Sequence, residues 1–99
     1  MTITKKAEGS ALEILLEGRL DTTTSPQLEA ELASSIEGVT DLVFNLTDLK
    51  YISSAGLRVL LGAQKKMNKQ GSMVVKGVCP EIMEVFEITG FSDILTIEG

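Results

Sequence analysis

Leu42-Val43-Phe44-Asn45-Leu46, followed by Thr47-Asp48-Leu49-Lys50-Tyr51-Ile52 and then Ser53-Ser54-Ala55-Gly56-Leu57-Arg58-Val59-Leu60-Leu61, decides the architecture. The first five residues form an almost continuous apolar run, the pattern of a strand covered on both faces and therefore central in a sheet. Thr47 to Ile52 reads as the connection, and Ser53-Ser54 stands where a helix should start. Leu57, Leu60, Leu61 and Met67 then face one way, while Arg58, Lys65, Lys66 and Lys69 are polar. Lysines in the closing turns suit the negative end of that helix. Gln70-Gly71-Ser72 ends it, and Met73-Val74-Val75 begins another buried strand. A strand, helix and strand of this length require a crossover and parallel pairing.

Upstream, Leu12-Glu13-Ile14-Leu15-Leu16-Glu17 begins in the alternation of a half-buried strand, and Ile3 with its flanking threonines can pair with it as a short antiparallel edge. Gly18-Arg19-Leu20-Asp21 leads into Thr22-Thr23-Thr24-Ser25-Pro26, where Pro26 suits a first helical turn and Ser25 or Thr24 can cap it. Leu28, Leu32 and Ile36, with Ala33 beside them, give one apolar stripe, Glu29 and Glu31 lie near the positive end, and Gly38 closes the helix. Downstream, Pro80 opens a third helix that packs through Ile82, Met83, Val85 and Phe86, Gly90 ends it, and Ile94-Leu95-Thr96-Ile97 makes a last strand. Cys79 either caps that helix or is core. The expectation is one α/β domain over residues 1–99, with a small mixed, largely parallel sheet and helices packed mainly on one face.

Composition narrows the function. With no histidine, the Ser-His-Asp and Cys-His triads and histidine-based zinc sites are out of reach. Nine Lys and Arg against 14 Asp and Glu leave a net charge of −5, the wrong sign for a nucleic-acid footprint. One Tyr, three Phe and no Trp are too few for a base-stacking platform. The single cysteine excludes an internal disulfide and fits a reducing compartment. No apolar run approaches the ~20 residues of a membrane span and no signal-peptide core follows Met1, so a cytoplasmic location without membrane insertion is expected.

The serine pair carries two readings. Either Ser53 or Ser54 caps the helix by accepting a bond from a free backbone N–H, or one of them accepts a phosphate. Unpaired N–H groups and the helix dipole favour an anion there, so the fold would tolerate the modification. Gly-x-Ser-x-Gly fails because Ile52 stands where glycine is needed, and no Gly-rich loop ends in Gly-Lys-Ser/Thr.

Tyr51-Ile52-Ser53-Ser54-Ala55-Gly56-Leu57 resembles the signature of the STAS family, specifically the bacterial anti-sigma factor antagonists. Gly18-Arg19-Leu20-Asp21 resembles the second motif of the family, Leu42 to Leu46 its central strand, and Gly90-Phe91-Ser92-Asp93-Ile94-Leu95 its C-terminal ending. The sequence departs from the common pattern at Ser53 and Asn45, each often aspartate, and at Ala55, often serine or threonine. The resemblance implies Ser54 as the phosphorylated residue, with Ser53 as the alternative. It implies a non-enzymatic partner switch without a cofactor. In that switch the unphosphorylated chain binds an anti-sigma factor, a serine kinase of the histidine-kinase ATPase superfamily, and a PP2C-type serine phosphatase resets the cycle. Asp21, Thr22, Asp48, Ser53, Ser54, Gly56, Leu57 and Arg58 are the expected partner-binding residues, with Asp21 and Asp48 brought toward the same end of the sheet as Ser54. Two rivals stand beside this reading. One is a non-phosphorylated adaptor or scaffold of a lipid-transport or stressosome-type complex; the other is a small enzyme using the carboxylates of Asp21 and Asp48.

Overall fold

Alternation of side chains sets the layers. The computed structural model describes residues 1–98. In strand β2 (Ala11–Leu20), Leu12, Ile14, Leu16 and Leu20 are buried, and in strand β3 (Asp41–Ile52), Leu42, Phe44 and Leu46 are buried, while the residues between them are half-buried or exposed. One face is therefore apolar and the other half-open, as period-2 patterning dictates. Strand β1 (Thr2–Glu8) pairs antiparallel with β2, and β2, β3, β4 (Ser72–Lys76) and β5 (Ile97–Glu98) run parallel in the order β1-β2-β3-β4-β5. Three helices connect them: α1 (Ser25–Ser35), α2 (Ser54–Gln70) and α3 (Pro80–Thr89), the last followed by a short 3-10 turn at Phe91–Asp93. Leu28 and Leu32 of α1, Leu57, Leu60 and Met67 of α2, and Ile82 and Phe86 of α3 join the buried strand residues in one contiguous core. Among the described residues no helix is long and apolar enough to cross a membrane.

The central place expected for residues 42–46 is realised, since β3 lies between β2 and β4. Cover on both faces is not. Val43 and Asn45 remain partly exposed, and a polar network lies on their face instead. The Asn45 side-chain N–H donates to Glu13 Oε2 at 3.2 Å, Lys76 Nζ lies 3.3 Å from the same oxygen, and the Asn45 side-chain carbonyl accepts from the Thr47 hydroxyl at 2.6 Å. The Asn45 bond, followed by Lys76, holds the Glu13 carboxyl below the usual carboxylate range.

Two further expectations change. The expected connection Thr47 to Ile52 continues β3 as strand, because two register shifts opposite β2 absorb extra residues in β3 and bring Leu46, Leu49 and Ile52, spaced by three, to the buried face. Gly18, with φ of +103°, sits at one of these shifts in a conformation that a side chain rarely adopts. The last strand is only Ile97–Glu98: after the 3-10 turn at Phe91–Asp93, residues 94–96 run as turn and irregular chain, and Ile94 is exposed. On α1, Leu28, Leu32 and Ile36 are buried as expected, but Ala33 is exposed.

Candidate functional site

Leu20 of β2 and Ile52 of β3 are register partners, so the chain leaves both strands at the same edge of the sheet. From there it turns into α1 after β2 and into α2 after β3, and the Ser53 N–H donates to the Leu20 carbonyl at 2.9 Å, tying the two exits together. Two helix N-termini thus open side by side at the C-terminal ends of parallel strands, the usual location of binding surfaces in open α/β sheets.

At the start of α2 the two serines occupy different positions. Ser53 is the cap: its hydroxyl accepts from the Gly56 N–H at 3.4 Å, and its carbonyl accepts from the Leu57 N–H at 2.9 Å. Ser54, the other candidate for the cap, is the first helical residue, with its side chain exposed. Capping needs the residue just outside the helix, in extended backbone, and Ser53 has it at φ −100° and ψ 174°.

At the start of α1 the organiser is Asp21. Its Oδ1 accepts from the Thr23 hydroxyl at 2.7 Å, the Thr23 N–H at 3.0 Å and the Thr24 N–H at 3.1 Å. These bonds, the Thr23 hydroxyl foremost, hold its carboxyl below the usual carboxylate range. Neither Thr24 nor Ser25 caps α1 through its side chain. The Thr24 hydroxyl donates to the Arg19 carbonyl at 2.8 Å and the Ser25 hydroxyl to the Asp21 carbonyl at 2.6 Å, so both fasten the loop.

Of the other expected site residues, Thr22 and Arg58 meet across a groove of about 210 Å³ between the helix starts, which Pro26, Glu29 and Ala55 also line. Gly56 and Leu57 are buried and shape the site from beneath. A Cβ on Gly56 would lie 2.7 Å from Leu20 Cγ and 2.9 Å from Ile52 Cγ1, so glycine is what lets the first turn of α2 descend onto the strand ends. Asp48 does not join the cluster. It is exposed and pairs in register with Glu17, four residues and roughly 13 Å of strand before Ile52. The paired carboxylates needed by the enzyme reading are therefore not formed by Asp21 and Asp48.

Arg19 and Tyr51 were missed as site residues. The Arg19 guanidinium stacks 4.2 Å from the centre of the Tyr51 ring, and its Nε lies 3.8 Å from Asp21 Oδ2. Tyr51 is 41% exposed, so this stack forms part of the surface one residue away from the Leu20–Ile52 pair. The signal lay in the register: only a β3 that continues to Ile52 sets Tyr51 beside Arg19.

A mixed five-stranded sheet with its helices on one face, and an exposed serine opening the second helix at the parallel strand ends, define a small α/β module. The chain belongs to the STAS domain family, whose model matches residues 2–99. Among curated relatives, BtrV of Bordetella bronchiseptica is 39% identical over 99 residues, with 98% of this chain and 85% of that protein covered. The anti-sigma-B factor antagonist of Bacillus subtilis is 30% identical over 95 residues, covering 95% and 87%. Among solved structures, the anti-sigma factor antagonist SpoIIAA in its unphosphorylated form superposes with a TM-score of 0.79 at 20% identity, covering 99% of this chain and 88% of that one.

Proposed function

We propose that this chain is an anti-sigma factor antagonist that works as a phosphorylation-controlled partner switch, with Ser54 as the acceptor. Unphosphorylated, it binds an anti-sigma factor, a serine kinase of the histidine-kinase ATPase superfamily, and so releases the sigma factor. Transfer of phosphate to Ser54 ends that binding, and a PP2C-type serine phosphatase restores it. The cycle runs in the cytoplasm, and the chain itself needs no cofactor.

The observation that carries this reading is the division of labour at the helix start. Ser53 holds the cap, and the Ser54 side chain is exposed, with no hydrogen bond from its hydroxyl among the described residues. A kinase can reach it without unfolding the helix. Phosphate brings roughly −1.5 to −2 charge to a position where the helix dipole favours anions, so the domain tolerates the modified state. The same charge inside an interface meets desolvation and any acidic groups of the partner, and Asp21 beside the site is already ionised and hydrogen-bonded. The fold stays and the partner leaves.

The test is incubation with the genomically adjacent kinase and ATP, followed by mapping of the phosphate by mass spectrometry in the parent chain, Ser53→Ala and Ser54→Ala. Phosphate on Ser54, lost in Ser54→Ala and retained in Ser53→Ala, is expected. Phosphate that survives Ser54→Ala and vanishes with Ser53→Ala moves the acceptor to Ser53. No phosphorylation of any variant removes the switch and leaves the adaptor reading.

A further inference from the structure

The groove at the helix starts does not end there. It continues between α1 and α2 as a second depression of about 200 Å³, sharing Glu29, Arg58 and Val59 with the first. Leu32, Ile36 and Ala63 line this lower part, so the channel is apolar there, below an upper mouth lined by Thr22, Ser25, Glu29 and Arg58. Its rims are charged in opposite senses, with Glu29 on α1 and Arg58 and Lys66 on α2.

Gly62 lies in the middle of the channel, and nothing among the described residues calls for glycine there. It is helical, exposed and in the interior of α2, and a Cβ built on it meets no atom within 4 Å. Glycine is the poorest helix former after proline, so a position where a methyl group would fit and strengthen the helix is left bare. On α2, Ser54, Arg58, Gly62 and Lys66 follow one another at intervals of four and therefore share one face. The bare position is thus on the same row as the proposed acceptor.

We propose that the channel between α1 and α2 receives an apolar-faced helix of the anti-sigma factor kinase, seated against Gly62 while the catalytic centre of the kinase reaches Ser54 at its upper end. The inference rests on the partner-switch reading and deepens it by naming where the partner is held. A kinase that covers Ser54 already lies over the mouth of the channel, and the stretch from Ala55 to Lys66 is roughly 16 Å long, about three helical turns. The seated helix presents small or aliphatic side chains inward, a basic residue toward Glu29 and acidic residues toward Arg58 and Lys66, the helix-in-groove mode of recognition.

The experiment measures calorimetric affinity for the kinase that phosphorylates Ser54 in the assay above, loaded with ADP. All variants are made in the full chain carrying Ser54→Ala, so that no turnover intervenes. Gly62→Ala should raise the melting temperature and bind within about twofold of its parent. Gly62→Trp, which fills the channel from an open position, should stay folded and lose about tenfold or more in affinity, the loss expected when an anchor is shut out. Lys66→Glu leaves the channel open and lies three turns from residue 54, so a salt-dependent loss there reports the rim and decides the matter even if Gly62→Trp misfolds. Unchanged affinity in Lys66→Glu and in a folded Gly62→Trp, with Ser54 still phosphorylated in the parent chain, overturns the channel and leaves the switch standing. A chain that self-associates until Gly62→Trp separates it assigns the channel to a second copy and overturns the proposal. Failure of the kinase to phosphorylate the chain at either serine removes both.

Discussion

Ser53 caps α2 and its neighbour Ser54 is the proposed acceptor, and Asp21 across the exit from β2 is the third residue that gives the site its shape. Asp21 is valuable as a carboxylate, because its bonds come from N–H and O–H donors of Thr23 and Thr24. Its folded-state value is depressed, so the stability it adds is present above the ordinary value of about 4 and is lost as pH falls through the lower folded value. Asp21→Asn should therefore be less stable than the parent at pH 7, and the gap should narrow as the pH is taken below about 4. Urea unfolding at both pH values checks this, and an equal gap at both would remove the assigned role of the carboxylate. The Asp21 motif could be read from the sequence, but its action could not. A polar Thr-Thr-Thr-Ser stretch suggests a cap, and only coordinates separate a hydroxyl that caps a helix from one that fastens the loop before it.

At the scale of elements, the fit of α2 onto β2 and β3 is decided at Gly56. Replacing it with alanine drives a methyl into Leu20 and Ile52, both buried, with contacts of 2.7 and 2.9 Å to relieve. Overpacking of this kind costs about 1–3 kcal/mol, so Gly56→Ala should lower stability by that amount in a denaturant titration and tilt the first turn that presents Ser54. Stability equal to the parent would contradict the close seating of α2. The sequence revealed α2, its apolar stripe and its termini because a 3.6-residue period ran unbroken. It hid the second half of β3 because Leu46, Leu49 and Ile52 break the two-residue period that marks a strand, and the register shifts that reconcile them are a property of the pair with β2. Hiding that half also hid the Arg19–Tyr51 stack and the true place of Asp48.

The whole molecule depends on one core beneath one face of the sheet. Phe44 stands in the central strand, fully buried, and residues from all three helices share its cluster. Phe44→Ala should cost about 3–5 kcal/mol, a large part of the 5–15 kcal/mol typical of a folded domain, and should leave the chain partly unfolded by circular dichroism at 37 °C. A melting temperature within a few degrees of the parent would place the core elsewhere. The phosphorylation proposed for Ser54 would act at the opposite extreme, on an exposed residue at a helix start where added negative charge is locally favourable. On that proposal stability, held by the core, is separate from partner choice, set at the surface.

That separation is tested most directly by measuring, at matched ionic strength, the affinity of the cognate kinase for the unphosphorylated chain and for the chain phosphorylated at Ser54, with the melting temperature of each recorded alongside. The prediction is a loss of affinity of about tenfold or more on phosphorylation, with Ser54→Asp in between because it carries a single charge, and a stability change of about 1 kcal/mol or less. Equal affinity of the kinase for the two forms would contradict the account, as would a loss of binding that appears only together with unfolding.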